Sequence, residues 1–338
     1  METAWALSIL VLAGFMNGSF TLPMKFTKRW AWENTWFAWT IFALVIFPPA
    51  LTLLTVPSLG AVYSQSGITP ILLAASFGAA WGISQVFLGL AVSAIGMALS
   101  FSVILGISAG VGSLVPLIRF HPERIFTRGG LALFAGLALV LIGVGICAVA
   151  GRHREIAQGK ASDPAQTSVA MGLLYSTISG VGSAFVNLGL AFGGPLVTAA
   201  RAAGANPQWA PNAVWLPLMM AGGIPNLIYC VYLMKKNKTA GGFGISGTGF
   251  YWLLAAVMAF FWFGSTVMYG VSTVKLGALG AVLAWPLFMS LIVLSATFWG
   301  FATGEWKNSG RGAVRVMSFG IAVLIAAIIV LSIASRWA

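Results

Sequence analysis

The sequence predicts an all-α membrane protein of ten transmembrane helices, arranged as two inverted five-helix repeats. Three observations lead there. Only 7% of the 338 residues are charged and 59% are hydrophobic, against about 25% charged in a typical soluble domain. Runs of roughly 20 apolar residues, the length that crosses about 30 Å of hydrocarbon, recur along the whole chain. A hydrophilic stretch divides these runs five from five, and a motif of the third run returns in the eighth.

The runs fall at 3–24, 36–56, 71–92, 96–118, 130–150, 169–191, 212–234, 249–271, 277–301 and 312–335. The first is expected to be a span and not a cleaved signal, because Lys25, Lys28 and Arg29 follow its apolar core instead of preceding it. Little chain is left between runs, so no soluble domain is expected. Residues 1–150 form the first repeat, 151–168 a hydrophilic linker with Arg152, Glu155, Lys160, Asp163 and Pro164, and 169–338 the second repeat. Five spans per half place the second half upside down relative to the first. The internal match supports this: Trp81-Gly82-Ile83-Ser84-Gln85-Val86-Phe87-Leu88-Gly89 aligns with Trp262-Phe263-Gly264-Ser265-Thr266-Val267-Met268-Tyr269-Gly270, and the same offset pairs Gly96 with Gly277. The fifth and tenth runs open alike, after Arg128-Gly129-Gly130 and Arg311-Gly312-Ala313.

Glycine and proline usage fits a tightly packed, kinked bundle. Gly78 with Gly82, Gly106 with Gly110, and Gly172 with Gly180 are spaced to bring backbones together. Pro23, Pro116, Pro195, Pro217, Pro225 and Pro286 lie in or beside spans, where each removes a helical hydrogen bond.

The net charge of +12 does not indicate nucleic acid, because the basic residues sit in loops. The loops after the odd-numbered spans carry twelve Lys and Arg and the opposite side six, which by the positive-inside rule makes the first set cytoplasmic and puts both termini outside. Cys147 and Cys230 lie in apolar runs without metal-ligand spacing and are expected to be small core residues.

The six acids (Glu2, Glu33, Glu123, Glu155, Asp163, Glu305) and both histidines fall in loops or at run ends. Acid–base or metal chemistry at membrane depth needs a carboxylate or imidazole there, so an embedded enzyme is disfavoured, and neither metal nor cofactor is expected. What the interior offers is neutral. Asn17 and Thr21 share a face of the first span, Ser84 and Gln85 lie beside Trp81, Asn187 is in the sixth and Asn226 in the seventh, and Ser265, Thr266 and Tyr269 follow Trp262. Each amide has an alternative reading as an interhelical tie. Trp5, Trp30, Trp32, Trp36, Trp209, Trp306 and Trp337 sit near run ends as an interfacial belt, while Trp81, Trp262 and Trp285 lie deeper.

Amides and hydroxyls beside indole rings suit a neutral solute rich in hydroxyls, since amides both donate and accept. The candidate substrate site is therefore Asn17, Trp81, Gln85, Asn187, Trp262, Tyr269 and Trp285, with Glu33 and Glu305 as candidate coupling or gating groups at the membrane face. No catalytic residue is assigned. The expected partners are a sugar-like small molecule, the lipid bilayer and, if transport is coupled, protons.

Several stretches resemble bacterial L-rhamnose–proton symporters of the drug/metabolite transporter superfamily. They are Leu22-Pro23-Met24-Lys25 followed by Lys28, Trp30, Trp32 and Glu33; Phe77-Gly78-Ala79-Ala80-Trp81-Gly82-Ile83 with Gly89-Leu90 and Gly96-Met97; Gly222-Gly223 with Asn226-Leu227; and Glu305-Trp306-Lys307-Asn308-Ser309-Gly310-Arg311. The resemblance implies ten helices in two inverted halves around a central site, in a bacterial inner membrane, carrying a deoxyhexose with a proton. One departure goes with it. The family's ninth span starts polar, with an acid and later a histidine, where this chain has Gly277-Ala278-Leu279-Gly280-Ala281-Val282 and Phe288. The fold follows from the resemblance; substrate and coupling do not follow from it alone. The competing reading is a uniporter or exporter of an amino acid, nucleoside or amine.

Overall fold

In a computed structural model of the protein, residues 2–159 and 169–337 are described, and every regular element among them is helical. Ten helices are long and apolar enough to span a membrane: Thr3–Phe26, Trp32–Thr55, Ile68–Ile95, Leu99–Phe120, Arg128–Ala157, Val169–Ala202, Asn212–Asn237, Gly249–Lys275, Gly277–Ala302 and Gly310–Ala334, here the first to tenth spans. The second starts at Trp32, ahead of its apolar run, because the Asn34 amide oxygen accepts the Ala31 N–H at 3.2 Å and caps a turn that carries Glu33. The fifth continues to Ala157, so Gly151–Ala157 of the expected linker are helical, while residues 160–168 lie outside the described residues.

Breaks follow the prolines and glycines. The first span is α-helical only to Ser19 and ends in a 3-10 turn, Leu22–Phe26, with Pro23 in its first turn. Thr21 therefore leaves the face it was expected to share with Asn17 and is exposed. In the second span Ile41–Ile46 is a π-helical turn ahead of Pro48 and Pro49, where the Phe47 N–H donates to Phe42, five residues back. Wide turns of this kind are rare inside α-helices and are frequently found at functional sites. Single glycines turn the third span into the fourth and the eighth into the ninth, Gly96 at φ 81° and Gly277 at φ 77°; residues with a Cβ avoid that backbone conformation.

The principal packing partners are the third span with the sixth and seventh, the first with the eighth and ninth, the fourth with the sixth, fifth and ninth, the second with the seventh and eighth, and the tenth with the fifth and ninth. Exchanging each span for the one five places away carries this set into itself: third–sixth becomes first–eighth, and third–seventh becomes second–eighth. The third span crosses the seventh closely. A Cβ on Gly78 would overlap the Leu218 carbonyl oxygen, and one on Gly82 the carbonyl oxygen of Gly222. Gly180 likewise lies against Ile107 and the Ile104 carbonyl, but Gly110 faces open space and makes no close approach.

Loops after the first, fifth, seventh and ninth spans meet at one face. Lys25 Nζ lies 2.6 Å from Glu305 Oε1, and Arg154 lies 3.4 Å from Glu305 Oε2. Gln158 Nε2 donates to the Glu305 and Lys307 carbonyls, and Arg29 donates to the Ser246 carbonyl at 2.8 Å. The expected tryptophan belt is only partly interfacial: Trp5, Trp32 and Trp337 are exposed, whereas Trp30 and Trp306 are buried. Trp30 sits among Phe243, Tyr251 and Trp252 and donates to the Gly242 carbonyl at 3.0 Å. These contacts link the exit of the first span to the loop between the seventh and eighth.

Candidate functional site

Two clusters form inside the bundle, and between them they account for the interior candidates. The first is built of indoles. Trp81 of the third span and Trp262 of the eighth stack with centroids 5.3 Å apart and planes 22° from parallel. Trp39 of the second span meets Trp262 edge-on at 5.2 Å and Trp36 at 4.4 Å. Phe20 closes on both Trp36 and Trp39. Trp81 is held in place because Gly222 offers no side chain: its ring covers that glycine, where a Cβ would sit 2.8 Å away.

Polar groups rim these rings. Asn226 accepts from the Trp36 indole N–H at 3.1 Å and donates to the Gly222 carbonyl. Asn17 donates to Ser265 Oγ at 2.8 Å. Gln85 is half-buried and reaches Ser84 Oγ at 3.4 Å, a weak tie. The Trp39 indole nitrogen is fully buried with no hydrogen-bond partner. A buried donor left unmade costs about 1–3 kcal/mol; the Trp215 indole nitrogen on the seventh span is likewise without a partner.

Residues paired by the sequence offset make similar contacts here. Trp81 and Trp262 stack on each other. Ser84 donates to the Trp81 carbonyl at 2.7 Å and Ser265 to the Trp262 carbonyl at 2.6 Å. Gly96 and Gly277 supply the same positive-φ corner.

The second cluster is closed. Asn187, fully buried in the sixth span, donates to the carbonyls of Gly112 at 2.7 Å and Ala281 at 2.9 Å and accepts from the Tyr269 hydroxyl. Trp285 donates to the Ser108 carbonyl at 2.9 Å and meets Tyr269 edge-on at 5.4 Å. Phe288 stacks on Tyr269 at 5.1 Å, so the ninth-span position at which the resemblance leads one to expect a histidine holds an apolar ring in a filled core. Asn187, Tyr269 and Trp285 thus come together, but as a tie between the fourth, sixth, eighth and ninth spans whose polar groups are already used. Asn187→Leu, which leaves two carbonyls and a hydroxyl without partners, is expected to cost about 3 kcal/mol, and Tyr269→Phe about 1 kcal/mol. Thermal unfolding in detergent checks both; an unshifted midpoint for Asn187→Leu would refute the tie.

Glu33 and Glu305 sit apart in character. Glu305 is 43% exposed and pairs with Lys25 and Arg154 among the described residues. Glu33 is only 5% exposed, has no ion-pair partner among the described residues, and accepts from Asn237 Nδ2 at 3.0 Å and Thr239 Oγ1 at 2.6 Å. Its position at the end of an apolar run disguised this burial, because the covering groups come from the loop after the seventh span. Trp36 and Trp39, which join the indole cluster, were not among the residues expected there. Trp36 falls near a run end, and the 3.6-residue period that puts both beside Phe20 does not reveal that Trp262 packs there.

Ten membrane-crossing helices around an indole and amide cluster, with ionic and hydrogen-bonded ties across one face, define a membrane carrier of small polar solutes. The chain belongs to the family described as L-rhamnose-proton symport protein (RhaT), whose model matches residues 1–335. Relatives named L-rhamnose-proton symporter are 30% identical over 91% of both chains in Escherichia coli O17:K52:H18, Salmonella gallinarum and Shigella dysenteriae serotype 1.

Proposed function

We propose that this protein carries L-rhamnose, or a closely related deoxyhexose, across the bacterial inner membrane in symport with protons, and that the indole cluster is where the sugar sits. The observation that carries the reading is the Trp81–Trp262 stack beside the unpartnered Trp39 N–H. A deoxyhexose has an apolar C–H and methyl face and a hydroxylated edge. An indole covers the first, while the Trp39 N–H and the amides of Asn17, Gln85 and Asn226 suit the second. The sugar would take the place of one indole face in the self-stack, so little apolar surface would be newly exposed when it leaves.

The two halves act as inverted repeats in this reading, in keeping with the exchange symmetry of their packing. Rocking pivots on the third–seventh crossing, where backbones touch. The face where odd-numbered loops meet opens by parting Lys25 and Arg154 from Glu305, and Glu33 from Asn237 and Thr239. With Phe288 in the histidine position, the proton falls to Glu33, the buried carboxyl among the described residues.

Uptake of labelled L-rhamnose into proteoliposomes, with and without an inward proton gradient, tests the whole. Gradient-driven accumulation is expected. Equal uptake without the gradient would replace symport by uniport of the same sugar, and no uptake of any deoxyhexose would overturn the substrate.

A further inference from the structure

On the face where the odd-numbered loops gather, a cleft of about 440 Å³ lies between the third-to-fourth corner and the ends of the fifth and sixth spans. Its walls are apolar, with Ile95, Leu99, Ala148 and Val149, and its edge carries Arg152 and His153. Leu99 and Val149 are also exposed on the outside of the bundle, where the surrounding medium is lipid. The Gly96 corner lies close by, since a Cβ there would stand 3.4 Å from Glu155 and 3.7 Å from Arg152.

Depth identifies the ligand chemistry. From Arg128 to Arg152 one continuous helix rises about 36 Å at 1.5 Å per residue, against about 30 Å of hydrocarbon. With Arg128 at one headgroup layer, Arg152 and His153 reach the other, and the apolar walls lie just inside it. Arg152 is 3.7 Å from Glu155 on the next turn, a loose contact that orients the guanidinium and leaves others of its five N–H donors available. A partner helix about 10 Å across would fill the cleft with roughly one turn, too little to hold it. An acyl chain with a charged head matches both the shape and the charge.

We propose that this cleft is a binding site for one anionic phospholipid, its phosphate between Arg152 and His153 and an acyl chain along Ile95, Leu99, Ala148 and Val149. The site is separate from the sugar-binding cluster and does not rest on the transport reading.

The test uses the full chain, incubated with equimolar phosphatidylglycerol and phosphatidylcholine in mixed micelles and weighed with its bound lipid by native mass spectrometry. Phosphatidylglycerol is expected to be enriched about fivefold per engaged basic group. The Arg152→Gln/His153→Gln double variant should bring the ratio to that of the mixture. Ala148→Phe, which fills the cleft without altering charge, should remove the bound lipid altogether. The proposal is overturned if the wild type shows no preference, if the double variant keeps it, or if inorganic phosphate alone displaces the lipid. Should Ala148→Phe not fold, judged by size exclusion, the charge variant decides.

Discussion

Glu33→Gln is expected to abolish concentrative uptake while leaving exchange of sugar across the membrane intact. A glutamine keeps the size of the side chain and can still accept from Asn237 and Thr239, so the packing of the second span on the loop after the seventh survives. What it cannot do is take up and release a proton. In the observed arrangement the carboxylate is stabilised by two neutral donors and by no cation among the described residues. In the proposed opening, water replaces the two covering donors, so the proton affinity of the carboxyl differs between the two states, which ties protonation to the conformational state. The accumulation ratio under a proton gradient should fall to about 1, the value for a carrier that only equilibrates its solute. Labelled-sugar counterflow without a gradient should remain. Accumulation at the wild-type level in Glu33→Gln would remove Glu33 from the coupling mechanism. Glu305 gives the contrast, since a half-exposed pair screened by solvent contributes little beyond about 1 kcal/mol, and Glu305→Gln should retain coupling.

Gly78→Ala should be the most damaging small substitution in the spans. Its Cβ would overlap the Leu218 carbonyl oxygen and lie 2.7 Å from that carbonyl's carbon. Both atoms are backbone and cannot rotate away, so the third and seventh spans must separate. One turn on, Gly82 lies on the Gly222 carbonyl, and Gly222 lies under the Trp81 ring. Separation at Gly78 therefore also lifts Trp81 from its seat against Trp262. Overpacking of this kind costs about 3 kcal/mol, read as a lower unfolding midpoint in detergent together with lost sugar uptake. Gly110→Ala is the control. Nothing lies within 4 Å of its Cβ, and alanine in a helix is favoured by up to about 1 kcal/mol over glycine. Equal midpoints for the two variants would refute the close crossing.

Ten spans and the family were legible because each rests on composition or local pattern. Gly78 and Gly82 were legible as close-packing positions, but their spacing is no better than that of Gly106 and Gly110, whose second member faces open space. Asn187, Tyr269 and Trp285 were expected to line one site and do meet, yet sequence does not tell a satisfied amide from an available one. That distinction depends on carbonyls of Gly112 and Ala281, from two other spans. Trp39, with its orphaned N–H, carried no mark separating it from an interfacial tryptophan.

By itself the sequence determined that this chain lives in lipid, how many times it crosses, and that its interior is built of amides, hydroxyls and indoles. Those follow from the cost of placing charge in hydrocarbon and from the length of a span, which act on each segment independently. Only the tertiary structure decided which polar groups are already used, which indoles meet, and that Glu33 is covered. Each of these depends on residues distant in sequence, and an acid at the end of a span is buried or solvated according to what folds over it.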